Sequence, residues 1–258
     1  MNPLRARRLF APDHRTVIVA MDHASFMGPL HGLEDPGQMV AAVTGAGADA
    51  ILTSYGVAKR FGDCFGRAGL ILRADGGSSS RNPQPSEMRR VFSGAEALRL
   101  GADAVACMGM IGFPEEASSL RVLTDLVSEC ATLALPVMAE MLVKTEGAPT
   151  PADLGYAMRI GAELGADWIK TNYAPPASEY GQAIQECYRP VVVLGGSKVN
   201  SDQALLETIA EALQAGAAGV AIGRNIWQHA NPAGMTRALV ALVHGGVSVP
   251  SALAEIGS

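Results

Sequence analysis

Gly47-Ala48-Asp49-Ala50-Ile51, Gly101-Ala102-Asp103-Ala104-Val105, Gly165-Ala166-Asp167-Trp168-Ile169 and Gly216-Ala217-Ala218-Gly219-Val220 are four versions of one phrase, their first glycines 54, 64 and 51 residues apart. Each follows a stretch with helical spacing of apolar residues, such as 151–164 or 201–215, and leads into a short apolar run. Glycine after a helix is a common stop, and a short apolar run behind it is a strand. Four further apolar runs, at 16–21, 69–72, 135–141 and 190–194, lie between the phrases with helical material on either side. That gives eight strands alternating with helices, the phrase marking the even-numbered ones. A doubly wound open sheet competes, but near-equal βα units in a chain of 258 residues favour a (β/α)8 TIM barrel.

Working outward, no stretch reads as a linker. The chain is expected to form a single domain over residues 1–258, with a short N-terminal extension of about fifteen residues. Residues 25–36 and 76–85 are rich in Gly, Ser and Pro and follow strands 1 and 3, at the barrel face where active sites lie, so they are candidate substrate loops. At 48% hydrophobic and 17% charged, the composition is that of a globular chain with a large core. A net charge of −5 argues against a nucleic-acid partner. No window approaches the length of a membrane helix, and no apolar leader follows Arg5, Arg7 and Arg8, so a cytoplasmic setting is expected. Cys64, Cys107, Cys130 and Cys187 are far apart and read as reduced thiols.

Only 4 of the 20 basic residues are lysines, at 59, 144, 170 and 198. Lys170 ends an apolar strand in ADWIKTNY and shares a face with Trp168. If that face is interior, burial disfavours the ammonium, and a neutral amine can attack a carbonyl to form a Schiff base. The alternative is a strand-end lysine paired with a carboxylate. Asp22 ends strand 1 and could exchange protons with a substrate or cap a turn; Glu140, inside strand 5, reads mainly as an interior partner of Arg73. After strands 7 and 8 come Gly195-Gly196-Ser197 and Gly223-Arg224. Glycine turns there suit a phosphate, with backbone N–H groups, helix starts and Arg224 as donors.

The segments VIVAMDHASFMGPLHGLEDP, GADWIKTNY, PVVVLGGSKVNSDQALLETIAEALQAGAAGVAIGRNIWQ and NPAGMTRALVALVHG resemble the archaeal-type class I fructose-bisphosphate aldolases. That superfamily also holds the autoinducer-2 phosphate thiolase and the aminodeoxyketoheptonate synthase. The resemblance runs from about residue 16 to 245 and implies a TIM barrel working without metal or other cofactor, commonly as a homo-oligomer. It implies that Lys170 is the Schiff-base lysine and that Asp22 and His23 are the Asp-His pair of strand 1, with His23 on the substrate-binding side. It further implies that Gly195, Gly196, Ser197, Gly223 and Arg224 cradle a phosphate, and that Lys144 stands where the family's arginine binds a second anion. One departure is plain: the family's tyrosine acid/base near the end of strand 5 is Leu142 here, which cannot carry a proton. The expected activity is a class I aldolase or related carbon–carbon lyase or transferase on a phosphorylated keto compound. A flavin-mononucleotide barrel oxidoreductase and a non-catalytic sugar-phosphate binder share the same glycine signals.

Overall fold

The computed structural model describes residues 3–82, 87–199 and 201–257. Eight parallel strands close into a barrel: β1 (Thr16–Ala20), β2 (Ala50–Thr53), β3 (Gly69–Arg73), β4 (Ala104–Ile111), β5 (Val137–Val143), β6 (Trp168–Thr171), β7 (Val191–Leu194) and β8 (Gly219–Ile222). Each strand pairs with its sequence neighbours, and β8 returns to β1 with Thr16 opposite Gly219. Helix α1 (Pro3–Leu9) precedes β1, and α2 (Ala24–Met27) and α3 (Pro36–Gly45) follow it. Then α4 (Tyr55–Phe61), α5 (Gly94–Arg99), α6 (Glu116–Thr132), α7 (Pro151–Glu163), α8 (Ala177–Cys187) and α9 (Asp202–Gln214) follow β2 to β7 in turn. After β8 come α10 (Arg224–Trp227), α11 (Pro232–Val243) and α12 (Val249–Ala254). No helix among the described residues is long and apolar enough to cross a membrane.

The repeated phrase has a mechanical meaning. Its glycines sit at φ +99°, +88°, +98° and +107°, a left-handed backbone that only glycine adopts without strain, and each even-numbered strand begins three residues later. The aspartate between then clamps the preceding strand twice. Asp49 accepts from Val17 N at 2.7 Å, Asp103 from Leu70 N at 3.0 Å and Asp167 from Val137 N at 2.9 Å. In return, each aspartate's own N–H donates to the carbonyl of the same residue. The N–H that each carboxylate accepts from belongs to the second residue of β1 and β3 and the first of β5, and the carboxylate supplies its partner at the strand's entry. In the fourth phrase Ala218 keeps the backbone bond, to Val191 O at 2.7 Å, but brings no carboxylate.

Two shells fill the fold. Inside the barrel lie Ile18, Ala20, Ala50, Leu52, Ile71, Ala104, Ala106, Met138, Trp168, Val192 and Ala221, while the alternate strand residues pack outward against the helices. Many small alanines leave room for one Trp168. The N-terminal stretch expected to be an extension closes the floor of this core: Leu9 is fully buried in it, and Phe10 meets Trp168 edge-on at 5.7 Å. Arg8 reaches Asp103 Oδ1 at 3.2 Å, tying α1 to the second clamp.

The first clamp is tied to the far end of the chain. His244, just past α11, lies 2.9 Å from Asp49 Oδ2 and 2.8 Å from Asp13 Oδ2. Hydrogen bonding to Asp49, then to Asp13, raises its pKa to about 9 from the usual 6.5, against the opposing effect of burial. Because the folded pKa is raised, the stabilisation from the charged ring is complete below pH 6.5 and lost as pH rises through about 9. His244→Gln should therefore cost about 1–3 kcal/mol in urea unfolding at about pH 6. The gap from wild type should close by about pH 10.

Candidate active site

Strand alternation carries the site directly from the core. Ala20, Ile71, Met138 and Trp168 face the barrel interior, so Asp22, Arg73, Glu140 and Lys170, each two residues further on, form the next layer up. Glu140 and Lys170 are also register partners across β5 and β6. Lys170, only 3% exposed, places Nζ 2.7 Å from Glu140 Oε1. Glu140 Oε2 accepts from Arg73 Nη2. Arg73 Nε donates to Asp22 Oδ2 at 2.7 Å, and Nη1 to Asp75 Oδ1 at 3.3 Å. One guanidinium thus joins three carboxylates, and the lysine joins the chain at its end. Both readings of Lys170 meet here, since the interior lysine is also the paired one.

The charges in this layer are unequal: Asp22, Asp75 and Glu140 face only Arg73 and Lys170. Burial alone would raise Glu140, but Lys170 and Arg73 outweigh it and hold its pKa near 2. Asp75 goes the other way. Burial raises it despite Arg73 and a 2.8 Å hydrogen bond from Met108 N. His23 is lowered by burial, with Lys170 and Arg224 adding to the effect and Asp22 and Glu140 opposing it, which leaves its ring neutral near neutral pH. Its Nδ1 lies 3.5 Å from Asp22 Oδ1, buried and outside hydrogen-bond geometry.

The two glycine turns come together beyond β7 and β8. A Cβ on Gly195 would lie 2.9 Å from Ile222 Cγ2, and one on Gly223 would lie 2.7 Å from Ala20 O and 2.9 Å from His23 Cε1, so no side chain fits at either. Gly196 has φ +61°. Asn225, buried, staples the turns: its Nδ2 donates to Gly195 O at 2.8 Å and Ser197 O at 3.2 Å, and its Oδ1 accepts from Val199 N at 2.8 Å. Lys198 Nζ reaches Gln228 O across the same gap. Arg224 Nε is buried with no hydrogen-bond partner among the described residues, a donor arranged for an anion. The helix after β8 is a four-residue turn, so Arg224 and the backbone, rather than a long helix, face this space.

On the opposite half of the ring, over β1 to β4, lies a cavity of about 790 Å³. It reaches the charged layer at Arg73 and Asp75, with Phe26, Tyr55, Phe92 and Met110 among its walls. The two candidate loops frame it: Ser80 N donates to Phe26 O at 2.8 Å, and Asp75–Gly76 pairs with Arg89–Arg90 in a short antiparallel ribbon. Residues 83–85 of the second loop lie outside the described residues. Lys144 is not drawn into the layer; it is exposed, its Nζ 6.0 Å from the Phe113 ring centroid. Leu142 stands beside Met110 across β5 and β4. Sequence reasoning missed Asp75 and Asn225. The first hides in a loop, and the second was legible only as the Asn of GRN, whose three bonds need both turns in place.

A closed parallel barrel with a buried lysine among carboxylates and two glycine turns beyond its last strands is compatible with a Schiff-base-forming aldolase. The model of the DeoC/LacD family aldolases matches residues 16–229, and the chain belongs to that family. It is 35% identical over 247 residues, 95% of its own length and 92% of the relative's, to a 2-amino-3,7-dideoxy-D-threo-hept-6-ulosonate synthase of Halobacterium salinarum. It is 34% identical over 241 residues to a 3-hydroxy-5-phosphonooxypentane-2,4-dione thiolase of Yersinia enterocolitica, covering 93% of this chain and 81% of the relative. Among solved structures, an archaeal fructose 1,6-bisphosphate aldolase superposes with a TM-score of 0.86 at 28% identity, over 94% of this chain and 99% of that one. Another archaeal fructose-1,6-bisphosphate aldolase, solved with its catalytic lysine covalently bound to the carbinolamine intermediate of the substrate, matches at 0.85 and 28%, over the same shares. The chain is thus a class I, Schiff-base-type aldolase-family enzyme, which favours that reading over the flavin barrel and the silent binder.

Removing Arg73 would leave Asp22 and Asp75 buried without their cation and Glu140 with Lys170 alone. Arg73→Leu should lose about 3–5 kcal/mol in urea unfolding at neutral pH, with part of the loss recovered near pH 5 as carboxylates take up protons.

Proposed function

We propose that this enzyme makes or breaks a carbon–carbon bond in a phosphorylated keto compound, with Lys170 as the imine-forming nucleophile and the glycine turns as the phosphate site. The observation that carries this reading is Lys170 Nζ, buried on the barrel axis 2.7 Å from a carboxylate and at the height of Asp22 and Arg73. The solved relative with a lysine-bound carbinolamine supports it.

Lys170 must lose a proton, to solvent, before it can attack, and Glu140, held ionised, orients the amine through Oε1. The free amine adds to the carbonyl carbon; the carbonyl oxygen takes up a proton and leaves, after a second, as water. In the resulting iminium the bond between the α and β carbons breaks, its electron pair becomes the carbon–carbon double bond of an enamine and the C=N π pair moves onto nitrogen; protonation of the enamine at carbon and hydrolysis by water then release the keto half and free Lys170. The departing half forms its own carbonyl as its hydroxyl proton passes to a base, and Asp22 is the proposed one. Glu140, expected to be mainly structural, becomes a positioning residue that joins Lys170 to Arg73. Leu142 removes the family's usual acid/base, so the proton inventory rests on the carboxylates around Arg73. Gly195, Gly196, Ser197, Gly223 and Arg224 hold the phosphate of the keto half, and His23 packs between that phosphate and Asp22. Lys144, exposed at the rim, is the weakest of the assigned contacts.

We assign the enzyme to the cytoplasm, acting as one barrel domain. The four cysteines are free thiols, three of them buried, which supports a reducing setting. A homo-oligomer is supported by exposed Tyr156 and Tyr188, which flank Arg159 on one face of α7 and the end of α8.

Lys170→Arg keeps a cation beside Glu140 but cannot supply an amine. It should fold as wild type does, lose at least about 10³-fold in turnover, and escape borohydride trapping with phosphorylated ketones. Intact-mass labelling that persists in this variant would remove Lys170 from the mechanism. Arg224→Ala should raise KM about 10–100-fold for a phosphorylated ketone and far less for its dephosphorylated form; equal losses would end the phosphate assignment.

A further inference from the structure

The proposed reading says where the phosphate of the keto half binds but not what the other half is. We infer that the carbonyl compound released from, or joined to, that keto half carries no phosphate and has an apolar body of aromatic size, held in the cavity over β1 to β4. This inference rests on the proposed function for its orientation. With the iminium at Lys170 and the phosphate toward β7 and β8, the remaining half must extend across Arg73 into the opposite half of the ring.

Three observations fix the chemistry of that half. First, part of the wall is apolar and flat: Tyr55 and Phe92 stack with centroids 4.5 Å apart at 11°, and Phe26, Val91, Met108 and Met110 join them among the polar residues of the lining. Val91, 51% exposed, opens onto the same space. Thioethers beside a stacked aromatic pair favour a planar or branched hydrocarbon surface. Second, the charges are wrong for an anion. Arg73 is the only lysine or arginine in the lining and is already shared among three carboxylates, while Asp75 and Glu115 line the same space. Lys59, whose Nζ is 6.0 Å from the Tyr55 ring centroid, and Lys144 both stand outside it. Third, Leu142 beside Met110 extends the apolar wall to β5 at the place where the resemblance expects a proton-carrying tyrosine. About 790 Å³ comfortably holds an aryl or branched aliphatic aldehyde. Ser25, Ser54 and the Gly76 backbone are polar groups able to orient its single oxygen.

The test has two arms. In ligand-observed NMR with the full-length enzyme, 2-phenylethanol should show saturation transfer and glycerol 3-phosphate should not compete for that site. Phe92→Ala should weaken the signal about 10-fold. In turnover, with dihydroxyacetone phosphate as donor, phenylacetaldehyde should exceed glyceraldehyde 3-phosphate as acceptor by at least about 10-fold in kcat/KM. Met110→Lys, which adds a cation to the wall, should reverse that order. Absence of 2-phenylethanol binding, its persistence undiminished in a folded Phe92→Ala enzyme, or a wild-type preference for glyceraldehyde 3-phosphate would overturn the inference. Failure of dihydroxyacetone phosphate to trap on Lys170 would instead overturn the proposed function, while the NMR arm still decides what the cavity accepts.

Discussion

A single guanidinium organises the working end of this barrel. Arg73 rises from β3 into the interior and binds a carboxylate beyond β1, one beyond β3 and one on β5, so three strand ends are held by one planar group. Such a buried ionic cluster is a poor source of net stability, because desolvation consumes much of the attraction. Its value is geometric. Glu140 is fixed from one side by Arg73 and can therefore present its other oxygen to Lys170, which fixes the amine in turn. Arginine suits the position because lysine offers no fork of donors for three partners.

The same cluster explains how a proton can be stored in a site that lacks the tyrosine. Three carboxylates and two cations in a dry layer favour one proton more than ordinary side-chain values would give. The environment sorts the carboxylates: Glu140, gripped by two cations, stays ionised, while Asp75, with a long contact to Arg73 and deep burial, is raised. Placement alone thus moves two carboxyls of this layer in opposite directions.

Much of the fold was legible because it repeats. The glycine phrases located four strands, and the gaps between them located the other four. Lys170, Asp22 and Glu140 were legible as charges interrupting apolar strands, since alternation carries them to the same interior as Trp168. Several features were not. The aspartates in the phrases carry no local sign of their role, because their carboxylates meet neighbouring strands about thirty residues away in sequence. The N-terminal stretch read as a short extension, because nothing local shows that Leu9 and Phe10 plug a barrel. Lys144 rests on the resemblance alone: its exposed Nζ lies 6.0 Å from the Phe113 ring centroid, and no local pattern ties it to the charged layer. The large cavity has no motif at all: its walls come from four separate segments, and only closure of the ring brings them together.

The repeat also divides the barrel into quarters. Each aspartate bolts an odd strand to the even strand that follows, giving three double-clamped pairs, whereas the last pair, β7 with β8, is held at that level by a backbone bond alone, because Ala218 stands where an aspartate would. Of the four pairs this is the one without a carboxylate clamp, and both glycine turns grow from its upper edge. Asn225 is the rivet that spans them there. An anion bridging the turns would add a second rivet, so that occupancy at the rim and cohesion of this quarter rise together.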